Sequence, residues 1–161
     1  MPHIRAAAPG DEHAIHGLIA ELAAFEHLTH LMQATPQRLA GHLFGERPVA
    51  ECAVVEVQEQ IVAFALWFTN YSTFLAQPGL YLEDLYVQPA WRGQGIGRSL
   101  LVHLAGLARD RGCGRFEWSV LDWNAHAIAF YEKLGAQLLP DWRICRITGD
   151  GIAALADREP S

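Results

Sequence analysis

The sequence predicts a mixed α/β domain, and three observations predict it. β-rich runs alternate with runs of helical period, three strand-like runs follow one another without an intervening helix, and 161 residues suffice for one core of ordinary size. A composition of 51% hydrophobic and 19% charged residues supplies enough apolar surface to fold and excludes a disordered chain.

Residues 3–7 form the first strand candidate. Pro9-Gly10-Asp11 then supplies a turn and an N-cap for a helix with Ile15, Leu18, Ile19, Leu22 and Phe25 on one face. A second helix over about residues 36–44 has Thr35 as N-cap and Pro36 at its first position, and Gly45 and Pro48 end it. Runs 52–57 and 61–68, separated by Gln58-Glu59-Gln60, read as an antiparallel hairpin. Pro78-Gly79 introduces a third strand over 80–87, closed by Pro89. From Gly95 onward Ile96, Leu100, Leu101, Leu104 and Leu107 recur at helical spacing until Arg111-Gly112. Residues 115–120 read as a strand, Asn124 caps a helix ending at Leu134 before Gly135, and 142–148 is a last strand candidate. A short helix near 152–156 and a frayed end up to Ser161 complete the domain, which spans 1–161 without an internal repeat or linker.

The net charge of -6, with no stripe of Lys and Arg, argues against a nucleic-acid partner. Cys52, Cys113 and Cys145 lie far apart and form no CxxC pair, which fits a reducing compartment. The start Met1-Pro2-His3-Ile4-Arg5 has no apolar core of a signal peptide, and no run approaches the ~18 apolar residues of a membrane span. These features lead to the expectation of a cytoplasmic protein without a membrane partner.

Three constellations carry chemistry. Arg92-Gly93-Gln94-Gly95-Ile96-Gly97 follows a strand and opens a helix, so its glycines let main-chain N–H groups approach a pyrophosphate at the positive end of that helix. A nucleotide P-loop would need Gly at Arg92 and Lys at Arg98, and a GxGxxG fingerprint would need its third glycine one residue later. A short glycine pattern also serves as a tight strand-to-helix turn without a ligand. Glu83-Asp84 interrupts an apolar strand. Period two puts Glu83 with Tyr81, Leu85 and Val87, and Asp84 with Leu82 and Tyr86, each partly desolvated. Such acids serve proton removal or form salt bridges with Arg92, Arg98 or Arg115. Tyr131 shares a helix face with Ile128 and Leu134, where a tyrosine packs in a core or, at an ordinary phenol pKa of about 10, donates a proton to a thiolate.

The glycine turn resembles the acyl-CoA motif of the GCN5-related N-acetyltransferases. Tyr81-Leu82-Glu83-Asp84, Leu121-Asp122-Trp123-Asn124 and Phe130-Tyr131-Glu132-Lys133-Leu134-Gly135-Ala136 narrow the likeness to the diamine acetyltransferase group, which includes the spermidine/spermine and thialysine N-epsilon-acetyltransferases. The resemblance implies a mixed, mostly antiparallel sheet, flanked by helices, that splays between two central parallel strands, and a homodimer as the usual form. It implies acetyl-CoA as co-substrate, with Leu85, Tyr86 and Val87 binding the pantetheine through their main chain. Arg92, Gly93, Gln94, Gly95, Ile96, Gly97 and Arg98 would cradle the diphosphate, and Asn124, Ala125, His126, Ala127 and Tyr131 would line the cofactor from the following helix. Tyr131 matches the general acid, and Glu83 the acceptor of the amine proton, directly or through water. An oxyanion would be met by a main-chain N–H of the splayed strand, with Leu85 as the candidate.

For the acceptor, the resemblance points to Phe25 and Glu26, to Ser72 and Thr73 in Tyr71-Ser72-Thr73-Phe74, to Glu83, and to Glu117, Trp118 and Ser119. Leu28-Thr29-His30-Leu31 lacks the acidic cluster of polyamine-specific members, so a small primary amine, a thialysine- or lysine-like amino acid or a diamine, is favoured over spermidine or spermine. A non-catalytic acyl-CoA sensor is the alternative of another class, and retention of Glu83 and Tyr131 argues against it. His13 and His16, like His27 and His30, are one helical turn apart and read as solvated helix residues, so no metal is expected.

Overall fold

A computed structural model describes residues 2–160, so Met1 and Ser161, the two ends of the predicted domain, lie outside the described residues. The chain divides into two compact units, residues 1–119 and 120–161.

The first unit carries β1 (His3–Ala6), α1 (Glu12–Phe25), α2 (Pro36–Phe44), β2 (Glu51–Val57), β3 (Gln60–Ser72), β4 (Gln77–Val87), α3 (Ile96–Asp110) and β5 (Arg115–Trp118). The strands stand in chain order in one sheet. β1 to β4 pair antiparallel, and β5 adds to β4 in parallel at the end of the sheet. The parallel pair is therefore an edge of this five-stranded sheet rather than its centre.

Local chemistry accounts for most boundaries. Thr35 Oγ1 accepts from Arg38 N–H at 3.2 Å, with Pro36 at the first helical position, as expected of an N-cap. Asp11 precedes α1 as predicted, but its carboxylate does not cap the helix. It accepts from Ala8 N–H at 2.8 Å and pairs with Arg5 at 2.7 Å, which holds it below the ordinary carboxylate range. The β2–β3 hairpin closes on two residues, Gln58 and Glu59, both at positive φ, while Gln60 already pairs with Val57. The β3–β4 turn lies over residues 73–76, with Ala76 at φ 51 and the Ser72 hydroxyl accepting from Leu75 N–H at 3.2 Å. Pro78-Gly79 accordingly lies inside β4, opposite Tyr71 and Asn70, instead of introducing the strand.

Directly opposed residues share a sheet face. Val54, Phe64 and Tyr86 pack beneath Ile15 and Leu18 of α1 and form one core layer. Leu85 and Val87 point to the other face, where a Cβ on Gly97 would meet them at 3.8 and 3.9 Å, so α3 covers that side. Burying Ile15 and Leu18 contributes about 1.5–3 kcal/mol each and anchors α1 over the end of β4.

The second unit holds α4 (Ala125–Lys133) and α5 (Gly149–Ala156). Asn124 caps α4 by accepting from Ala127 N–H at 3.3 Å, and Gly135 follows the helix at φ 97. The strand expected over residues 142–148 is not formed. A strand needs a ladder partner, this unit contributes none among the described residues, and Trp142, Ile144 and Ile147 are exposed along a segment without regular secondary structure. β5 also ends two residues earlier than expected, at Trp118.

Candidate active site

A β-bulge decides how the acid pair is presented. Leu82 opposes Trp67 and Asp84 opposes Leu66, so Glu83 is an extra residue without a cross-strand partner. The bulge inverts the predicted alternation. Asp84 joins Tyr81 and Tyr86 on the α1 face, opposite Leu66, Phe68 and Phe64, whereas Leu82 falls with Leu85 and Val87. Glu83 is exposed and Asp84 half-buried, so the desolvated carboxylate is Asp84 and not Glu83.

Burial pushes Asp84 up to about 6, with the charges of Glu83 and Glu26 adding to the shift. Glu26, just beyond the end of α1, is raised by burial and then by Glu83. Three carboxylates thus repel one another at the junction of α1 and the bulge. They do not form a metal-ligand group, since among the described residues no three His, Cys, Asp or Glu side chains stand close enough to hold an ion.

The uncovered edge of β4 begins at the same place. Pairing with β5 stops at Leu82, so residues 83–87 carry no strand on that side among the described residues. Gln88 N–H donates to Val62 C=O at 2.9 Å, and antiparallel ladders alternate, so Tyr86 and Asp84 direct their main chain toward β3 while Leu85 and Val87 direct theirs outward. This corrects the expectation that all three of Leu85, Tyr86 and Val87 offer main-chain groups to a ligand, because the Tyr86 amide is committed to the ladder.

The free edge leads into the glycine turn. Gly93 and Gly95 stand at φ 77 and 81, where a side chain would be strained, and a Cβ on either would meet nothing within 4 Å. Gln94 lies exposed between them. Ser99 N–H to Gly95 C=O, at 2.9 Å, is the first bond of α3, so the amides of Ile96, Gly97 and Arg98 open the helix without helical acceptors. Open space, first-turn amides and the helix dipole favour an anion there, with the exposed Arg92 and Arg98 flanking it.

Around this frame, Phe25 ends α1 and Glu117 and Trp118 end β5. Glu117 opposes Tyr81 and pairs with Arg115 at 3.2 Å, Trp118 opposes Leu82 and packs edge-on against Phe116, and Ser119 shares a 2.9 Å hydrogen bond with the Tyr81 hydroxyl. Ser72 and Thr73 are not brought to this place. They lie at the β3–β4 turn, six positions from Glu83 along β4, or about 20 Å at a strand's rise per residue. Asn124, Ala125, His126, Ala127 and Tyr131 belong to the second unit, where Tyr131 is half-buried with its ring 5.6 Å from that of Phe130.

Sequence reasoning passed over Asp84 as a site residue and over Glu21, which accepts from the Tyr86 hydroxyl at 3.3 Å and from Gln88 Nε2 at 3.0 Å. The acid pair in an apolar strand was the available signal for Asp84. Nothing local marks Glu21, whose partners lie 65 and 67 residues away.

The chain is similar to known proteins over nearly its whole length. A model of the Acetyltransferase (GNAT) family matches residues 15–136. L-ornithine N5-acetyltransferase NATA1 of Arabidopsis thaliana is 36% identical over 94% of this chain and 86% of its own length. Thialysine N-epsilon-acetyltransferase of Mus musculus is 38% identical over 96% of this chain and 97% of its own. The solved structure of an integron cassette protein from the mobile metagenome of V. cholerae superposes with a TM-score of 0.79 at 27% identity, covering 98% of each chain. The chain belongs to the GNAT family of acetyltransferases and is an N-acetyltransferase.

Proposed function

We propose that this acetyl-CoA-dependent N-acetyltransferase acts on the terminal primary amine of a small amino acid of the ornithine or thialysine kind. The observation that carries the reading is the continuity of the uncovered Leu85–Val87 edge with the glycine turn, with the carboxylates of Glu26, Glu83 and Asp84 at its start. The relatives named for L-ornithine and thialysine support the acceptor class.

The residues present fit the co-substrate. An extended amide-bearing arm pairs with outward main-chain groups at Leu85 and Val87, and a diphosphate suits the open turn formed by Gly93, Gln94, Gly95, Ile96, Gly97 and Arg98. Acetyl-CoA supplies an acetyl thioester to an uncharged amine. Asn124 and the start of α4 contribute further cofactor contacts in this reading.

An aliphatic amine of ordinary pKa near 10 arrives as an ammonium and must lose a proton before it reacts. Glu26 and Asp84 hold that cation, and Glu83, placed outside the ladder by the bulge, accepts the proton at a carboxylate oxygen, directly or through water. The Leu85 N–H, directed to the free edge, is the donor for developing negative charge on oxygen. Tyr131 holds a proton at Oη for the departing sulfur. Phe25, Glu117, Trp118 and Ser119 complete the acceptor side, and Ser72 and Thr73 belong to it only through contacts outside this strand end. The proposal includes a cytoplasmic homodimer working as one domain.

The test is release of free thiol from acetyl-CoA with L-ornithine, thialysine, L-lysine, simple diamines and spermidine. The proposal expects the amino acids with a terminal amine to give the highest kcat/KM. Preference for spermidine would move the acceptor to the polyamines, and release indifferent to any acceptor would favour a sensor.

A further inference from the structure

Arg92 opens the glycine turn, yet its side chain folds back onto both neighbouring regions. Its Nε donates to Val87 C=O at 2.9 Å, one of the outward groups on the free edge of β4. Its guanidinium carbon lies 5.3 Å from the ring centroid of Phe25 and 5.3 Å from that of Tyr86. The Tyr86 ring is buried and held by its hydroxyl's bond to Glu21 on α1, while Phe25 directly precedes Glu26. One cation therefore occupies an edge acceptor and the aromatic faces beside the acid cluster.

We propose that Arg92 is a placeholder for both substrates. It occupies the carbonyl that the co-substrate's amide would take and the Phe25 and Tyr86 faces that an acceptor ammonium would take, and co-substrate binding displaces it. This inference rests on the reading of the β4 edge and glycine turn as the acetyl-CoA path. The driving force is charge. An anionic phosphate is a stronger acceptor for a guanidinium than a neutral carbonyl, and Arg92 is the first residue of the turn that would hold the phosphates. When Arg92 swings toward the turn, two ring faces are released for another cation. The co-substrate then tightens amine binding, and linkage requires the amine to tighten the co-substrate by the same factor.

The experiment is calorimetric titration of the full chain with coenzyme A and with L-ornithine, each alone and in the presence of the other. Wild type is expected to bind L-ornithine about fivefold or more tightly when coenzyme A is present. Arg92→Ala and Phe25→Leu are expected to bring that ratio close to one whatever they do to the affinity for either ligand alone, a change that a merely structural role would not produce. No tightening in wild type, or wild-type tightening in Arg92→Ala, overturns the proposal. If coenzyme A fails to bind wild type at all, the co-substrate reading itself falls. An independent readout that needs no variant to fold is the nitrogen-15 resonance of Arg92 Nε in wild type. It is expected to move on adding coenzyme A, and an unmoved resonance in the saturated protein overturns displacement.

Discussion

Asp84→Asn isolates the energetic consequence of the bulge. The substitution keeps the shape of the side chain and removes a charge that burial and two neighbouring carboxylates oppose. A rise from 3.8 to about 6 corresponds to about 3 kcal/mol at roughly 1.36 kcal/mol per unit, an upper figure because Asp84 is not fully buried. Between these two pH values the folded chain retains a proton that the unfolded chain has released, so stability falls as pH rises through the window and levels off above it. Asp84→Asn should therefore match wild type near pH 4, gain on it through about pH 6, and at pH 7.5 exceed it by about 1–3 kcal/mol, or about 3–10 °C in Tm. The assay is thermal unfolding at half-unit steps from pH 4 to 8. A difference that does not vary with pH, or an asparagine variant less stable throughout, would refute the account of Asp84 as a desolvated, like-charge-loaded carboxylate.

Glu83→Gln should lower kcat/KM by about a hundredfold at neutral pH and move the acidic limb of its pH profile to higher pH; an unchanged profile removes Glu83 from proton transfer. Tyr131→Phe should lower kcat by a similar factor of about a hundred while the KM for acetyl-CoA stays within about twofold, and unaltered turnover rules out the acid role. Gly95→Ala strains a backbone at φ 81 by about 1 kcal/mol but meets no atom of the chain within 4 Å. Its KM for acetyl-CoA should rise about tenfold or more with the amine KM little changed, and equal effects on both would argue against a diphosphate in the turn. In the β2–β3 hairpin, Gln58→Asn with Glu59→Gly suits two positive φ angles and should raise stability by about 1 kcal/mol, measured by urea unfolding.

Features set by neighbours in sequence were legible without coordinates. Thr35 and Asn124 cap helices because their side-chain oxygens reach amides three residues ahead, and α3 begins where the glycines end. The acid pair and the glycine turn were visible for the same reason, since each is a few consecutive residues. Features set by register were not legible. The bulge at Glu83 arises from how β4 meets β3 between Leu66 and Trp67, and it alone determines which of two adjacent acids is buried. Asp11 carries the residue type of a cap, but Arg5, six positions earlier and itself bound to Glu56 at 2.8 Å, claims the carboxylate. Residues 142–148 have the β-rich composition of a strand, and composition does not provide an edge to pair with.

The central claim is that coenzyme A lies along the free edge of β4 and meets the amides at the start of α3. Titrating the nitrogen-15-labelled chain with coenzyme A tests it residue by residue. The account predicts large amide shifts at Leu85, Val87, Gly93, Gly95, Ile96, Gly97 and Arg98, and smaller ones at Tyr86, whose N–H belongs to the β3 ladder. Saturable binding that leaves residues 93–98 unmoved would contradict it.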